Sequence, residues 1–250
     1  MNAILDIQKT PAAWTLTLNR PSKRNALSAE LVEALIAAVE EAHARQAPLI
    51  AFRGTGKNFS AGFDFSDYED QSDGDLFHRL VRIEQLLQLI ARSPALTLGY
   101  AHGRNFGAGV DLFGVCKQRY CSADASFRMP GLKFGLVLGS RRFRDIVGPQ
   151  HALSILSSTR TFHADEAVRL GFAQDTAPEP GFDALIADAA EIATALASDT
   201  RASLHRALDM RDADADADMA ALVRSTSRPG LKDRIRKYLN DAMMAPSPSR

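Results

Sequence analysis

The chain has 250 residues, 30 of them basic and 30 acidic, with no net formal charge and 46% apolar side chains. This suits one large α/β domain, or one domain with a helical appendage, and supplies enough apolar surface for a sizeable core. The balance of charge argues against a general nucleic-acid binder, and no apolar run approaches the ~20 residues of a membrane span.

The first six residues lack a basic segment followed by an apolar stretch, so no secretory leader is expected. Residues 14–18 alternate in polarity and are rich in β-formers, which predicts a strand. Ser28 is a suitable N-cap for a helix over 29–45, with Leu31, Leu35, Ala38 and Ala42 on one face. A short buried strand follows at 49–52, then a turn at 53–56 and an irregular stretch at 58–74 rich in Gly, Ser and Asp. Leu76, Leu80, Ile83, Leu87 and Ile90 have helical spacing, and residues 95–101 read as another strand. Beyond a glycine-rich junction, 111–118 is expected to be helical and 125–129 extended. Cys116 and Cys121 suggest neither a disulfide framework nor a zinc site, and buried free thiols in a reducing, bacterial-type cytoplasm are expected. Residues 151–158, 163–170, 182–197 and 201–210 read as helices, and 228–239 as a basic amphipathic helix. Residues 212–218 alternate Asp and Ala without metal-site geometry, and 246–249 are expected to be disordered.

Two strand–turn–helix corners stand out: 59–65 and 102–111. Each has small residues where backbone can approach a ligand, and exposed N–H groups there favour negative charge. If the corners converge, they form a two-donor oxyanion hole, although glycine-rich corners also serve close packing.

The stretches at 18–28, 59–64, 103–112 and 162–172 resemble, in order, those of the crotonase superfamily of enoyl-CoA hydratases and isomerases. The resemblance covers about residues 10–195. It implies an α/β fold, a crotonase-type spiral of β-β-α units with a C-terminal helical region, divided into a core over 1–195 and a trimerisation or lid region over 196–250. It also implies an acyl-CoA thioester substrate, with coenzyme A part of the substrate and no separate cofactor, and a trimer or hexamer whose C-terminal segment packs near a neighbour's CoA site. Carried over by position, the oxyanion donors are the N–H groups of Phe63 and Ala108. Lys23, Arg24 and Ala26 would lie along the CoA phosphates and adenine, and Ala61, Asp64 and Phe65 would line the same groove. Without the resemblance, Lys23 and Arg24 read as a solvated turn, and Asp64 as a residue that satisfies loop amides.

Family hydratases use two glutamates, and their positions here hold Asp111 and Gly131. Hydration needs a water deprotonated on one side of the double bond and a proton delivered to the α-carbon, and glycine does neither. Asp111 is expected to act either in catalysis or on the helix dipole. The aspartate nucleophile of the related aryl-CoA dehalogenases is also absent, replaced by Gly139. A lyase or isomerase is therefore expected, with a decarboxylase, a carbon–carbon bond hydrolase or a non-catalytic acyl-CoA binding protein as alternatives. His102 is expected to pack against loop backbone, and Arg141, Arg142 and Arg144 to form a subunit contact or, as the alternative, to meet an acidic substrate group.

Overall fold

The computed structural model describes residues 3–208 and 212–244. The chain opens with β1 (Leu5–Lys9) and β2 (Trp14–Leu18), paired antiparallel. No element is expected from the sequence at β1, an edge strand with only Leu5 buried, whose apolar signal is correspondingly weak. Next come α1 (Ala29–Ala44), β3 (Leu49–Gly54), α2 (Asp73–Ala91), β4 (Leu96–Ala101) and β5 (Arg104–Phe106). The Ser28 hydroxyl accepts from Leu31 N at 3.2 Å, as its N-cap position predicts. A reciprocal Ser72–Asp75 capping box starts α2 three residues ahead of the first apolar position, Leu76.

The chain continues through α3 (Ala108–Gly114), β6 (Gln118–Cys121), β7 (Ser126–Arg128), α4 (Ser140–Val147), α5 (Pro149–Ser158), β8 (Thr161–His163), α6 (Ala164–Arg169) and β9 (Asp175–Thr176). α3 begins three residues before the expected 111 and ends at Gly114. Gln118, expected to close that helix, instead opens β6 and pairs with Leu98 of β4. The helix starts where Gly107 turns the chain, and this leaves the first-turn N–H groups at the corner.

A six-stranded sheet has the order β1-β2-β3-β4-β6-β9, parallel from β2 onward, and a three-stranded sheet has the order β5-β7-β8. β4 and β6 belong to the large sheet, while the strands that follow them, β5 and β7, belong to the small one. The chain thus winds strand, strand, helix, as the expected spiral requires. Phe113, Phe127, Phe143, Phe162 and Phe172 interlock, with ring centroids 5.3–5.8 Å apart. Such offset and edge-on aromatic packing stiffens the support beneath the corners.

α7 (Phe182–Thr194) buries Phe182, Ala189 and Ala193 against Leu49, Ala51, Leu98 and Tyr100. α8 (Ser198–Leu208), α9 (Asp212–Thr226) and α10 (Leu231–Met244) complete the described chain. α10 lies against α2 and the 3-10 turn Gly131–Phe134 of its own chain. Its apolar residues Leu231 and Ile235 are buried in the chain's own core. Residues 246–249 lie outside the described residues. Among the described residues no helix is long and apolar enough to cross a membrane.

Candidate active site

The two corners meet. Phe59 N donates to His102 O, Phe106 N to Ser60 O, and Ser60 N to the Asn105 side chain, at 3.0, 3.3 and 3.2 Å. Gly62, at φ +79°, lies so close to the second corner that a Cβ would sit 2.2 Å from Phe106 O and 3.2 Å from Ala108 N. Only glycine permits both that backbone angle and that approach. On its other side Gly62 O accepts from Leu27 N at 2.7 Å, and Asp64 N donates to Leu27 O at 3.3 Å. This parallel bridge turns the intervening Phe63 N–H away from Leu27. Ala108 is the first residue of α3, so its N–H has no intrahelical acceptor. Among the described residues neither N–H donates to a protein acceptor.

Both residues line a cavity of about 260 Å³. Its walls are mostly apolar, with Phe65, Phe134, Leu136, Leu138, Tyr238 and Leu239 among them, and Arg24 and Asp111 are its charged groups. Tyr238, Leu239 and Ala242 come from α10, which the resemblance assigns to a neighbour's site. Tyr238 and Ala242 also border an adjoining groove of about 570 Å³ lined by Arg128, Lys133, Arg234, Lys237 and Asp241.

Asp111 sits in the first turn of α3 and is 7% exposed. No hydrogen-bond donor among the described residues reaches its carboxyl. Burial pushes the group up to about 8; Arg142 opposes this, while Glu84 and Asp218 add to it. Gly139, at φ +65°, packs directly on the carboxyl: a Cβ there would fall 1.7 Å from Oδ1. The space that a side chain at 139 would need is already filled by Asp111. Gly131 also lines the cavity, and a Cβ on it would lie 3.3 Å from Leu136 O. Asp111 is thus the one carboxyl among the residues lining the cavity.

The remaining expected site residues divide. Arg24, Ala61 and Phe65 line the cavity, and Ala61 N donates to Arg24 O at 2.9 Å. Lys23 lies outside it, exposed, with Nζ 3.2 Å from Ser66 Oγ. Ala26 is buried and does not line it. Asp64 is not among the residues lining the cavity either. It lies beneath the corner, accepts from Ser66 N at 2.9 Å and pairs with Arg20 at 2.9 Å. Burial opposes its ionisation, but the Ser66 hydrogen bonds and Arg20 outweigh burial and hold it below its ordinary value. His102 Nε2 lies 2.9 Å from Gly56 O, in keeping with its expected packing role. Both cysteines are free and buried, with thiols pushed up to about 12 by burial.

Arg141 and Arg142, expected at a subunit contact, are engaged inside the chain. Arg142 pairs with Glu84 at 2.6 Å and Asp218 at 2.9 Å, and Arg141 pairs with Asp218 at 2.8 Å. The sequence held a signal for this, since Asp214 and Asp218 are four apart and share a helix face that can meet an arginine pair.

Residues 9–231 match the sequence profile of the Enoyl-CoA hydratase/isomerase family. The chain is 34% identical over 173 residues to "Probable enoyl-CoA hydratase echA6" of Mycobacterium tuberculosis, covering 68% of this chain and 69% of that protein. It is 33% identical over 198 residues to the human mitochondrial Delta(3,5)-Delta(2,4)-dienoyl-CoA isomerase, covering 71% of this chain and 60% of that protein. Its structure superposes with a TM-score of 0.94 on a crystal structure from Bordetella parapertussis described as an enoyl-CoA hydratase/isomerase. The two share 63% identity, covering 98% of this chain and 100% of that one. An enoyl-CoA hydratase from Bacillus halodurans, at 22% identity, a TM-score of 0.83 and 94% and 100% coverage, shares the fold.

Proposed function

Because the chain belongs to the enoyl-CoA hydratase/isomerase family, we propose that it moves a double bond within an acyl-CoA thioester, with Asp111 as the sole proton carrier. One observation carries this reading: Asp111 is the single carboxyl among the residues lining a cavity that Phe63 and Ala108, whose N–H groups lack a protein acceptor among the described residues, also line. Asp111 in its ionised form takes a proton from the saturated carbon α to the thioester carbonyl, or from the vinylogous γ-position. The electron pair shifts onto the thioester oxygen, where the two N–H groups stabilise the enolate. The Asp111 carboxylic acid then returns the proton at a different carbon, so no water is consumed and one acid suffices. Hydration would need a second group to orient water, and Gly131 supplies none. A carboxyl titrating near 8 is well matched to moving a proton in both directions near neutral pH.

A second reading is favoured by the same elevated value. A carboxyl that holds its proton at neutral pH is ready to protonate an enolate left by loss of carbon dioxide. The two readings separate when enoyl-, dienoyl- and malonyl-type CoA esters are incubated with the protein and followed by mass spectrometry. Isomerisation conserves mass, whereas decarboxylation removes one carbon dioxide. A panel on which nothing turns over, despite binding, would favour a non-catalytic acyl-CoA binder.

Binding is the first expected result. We assign the CoA phosphates to Lys23 and Arg24, which lie on the turn ahead of the first corner. CoA esters should raise the melting temperature. Arg24→Glu should weaken binding, more strongly at low salt, where charge is least screened. Absence of any thermal shift with any CoA ester would sink the assignment.

Gly131→Glu is expected to create or raise crotonyl-CoA hydration by restoring the second acid. Leu136 must give by a few tenths of an ångström, so a small loss of melting temperature should accompany it. Ordinary hydratase rates in the unaltered protein would overturn the one-acid reading. We also propose a trimer or hexamer, and light scattering that finds a monomer at micromolar concentration would refute it.

A further inference from the structure

Behind Asp111 lies a buried charge cluster that the proposed proton transfer does not use directly. Arg142 of α4 is 10% exposed at its side chain, Glu84 of α2 1% and Asp218 of α9 9%. The Arg142 Nη1 group donates to Glu84 at 2.8 Å and to Asp218 at 2.9 Å, and Nη2 donates to the second Glu84 oxygen at 2.6 Å. Its Nε is buried and meets no acceptor among the described residues. A small cavity of about 10 Å³, close to the room one water needs, is lined by Arg142, Gly139 and Asp111 together, with Phe143 and Phe172 as apolar wall. Arg142 and Asp111 therefore border the same small space.

Burying a cluster of this kind is costly unless every charge is paired, so it is weak evidence for stability alone. The Glu84–Arg142–Asp218 set carries one positive and two negative charges, and Arg141 neutralises it further from outside through Asp218. The groups facing Asp111 from the surrounding helices are thus one cation on α4 and one anion each on α2 and α9.

We infer that Arg142, clamped by Glu84 and Asp218, is a positioning residue that tunes the charge state of Asp111 across the small space they share. The inference deepens the proposed function and rests on it for its catalytic consequence. It also gives the C-terminal helices a part in the site, because Asp218 ties α9 to the back of the acid. Burial favours the protonated acid, the arginine favours the ionised form, and the two carboxylates resist it.

The test reads Asp111 directly. Its carboxyl titration is followed by infrared difference spectroscopy, with Asp111→Asn as the reference. Unaltered protein is compared with Asp218→Asn, Arg142→Gln and Arg142→Lys, and each variant's pH–rate profile is recorded. Removing a neighbouring anion should lower the Asp111 midpoint by about half a pH unit or more, and removing the cation should raise it by a similar amount. Arg142→Lys keeps the charge and should restore most of the shift. Midpoints that stay put in folded variants overturn the inference, and if Arg142→Gln does not fold, Asp218→Asn decides alone. If the midpoint moves and the rate profile moves with it, both the inference and the proton-transfer reading are supported. A midpoint that moves while the rate profile does not supports the coupling and removes Asp111 from the chemistry.

Discussion

Asp111→Asn should lower turnover at least ~10²-fold while leaving acyl-CoA affinity nearly unchanged, because the amide keeps the carboxyl's shape but cannot accept the substrate proton. Steady-state kinetics beside a direct binding titration separates the two effects. A variant that retains turnover would end the proton-carrier assignment. The raised value of about 8 has two pH consequences of opposite sign. If the ionised form starts the reaction, the rate should climb with pH until about 8 and then level off. Stability should move the other way. The unfolded chain releases this proton near 3.8 and the folded chain only near 8, so between these values the folded state holds more protons. Stability contributed by this site therefore falls as pH rises through that window and is flat above it. Ionising the buried group costs at most about 6 kcal/mol more than in the unfolded chain. Asp111→Asn should accordingly melt above the unaltered protein at pH 8, and the gap should shrink toward pH 4. A melting difference that does not change with pH would contradict the burial argument.

Gly62→Ala should be almost as damaging, through geometry alone. The added methyl would stand 2.2 Å from Phe106 O, a backbone atom that cannot rotate aside, and the residue sits at φ +79°. The corners must separate, and the Phe63 and Ala108 N–H groups can then no longer act as the proposed pair on one oxygen. Misplacing one such donor typically costs ~10²–10³ in turnover, about 3–4 kcal/mol. The rate should fall in kcat with any acyl-CoA ester, and the melting temperature should fall as well, since the left-handed angle is strained for alanine. Unimpaired kcat in the Gly62→Ala protein would show that the two N–H groups do not act together on the substrate.

Most of the strand and helix pattern was legible in the chain because it depends on near neighbours. Ser28 as a cap, the buried face of Leu31, Leu35, Ala38 and Ala42, and the strands at 14–18 and 49–52 follow from local periodicity and capping chemistry. The elements that misled were those with weak or competing local signals. β1 is an edge strand with one buried residue, and the helix expected at 111–118 begins instead at the corner where Gly107 turns the chain.

By itself the sequence determined the α/β alternation, the two small-residue corners, their family resemblance and the single acid left at Asp111. Each of these is a matter of residue type and spacing along the chain. Only the tertiary structure decided that Gly62 touches the second corner and that Asp111 occupies the space above Gly139. It alone brought Asp218 to Arg142 and Glu84, and laid α10 along its own chain's cavity. These contacts join residues far apart in sequence, and they exist because burying the apolar faces of α2, α9 and α10 fixes where the charges on those helices end up. Local propensity carries no information about that placement, since the same Asp-Ala alternation would form the same helix wherever it docked.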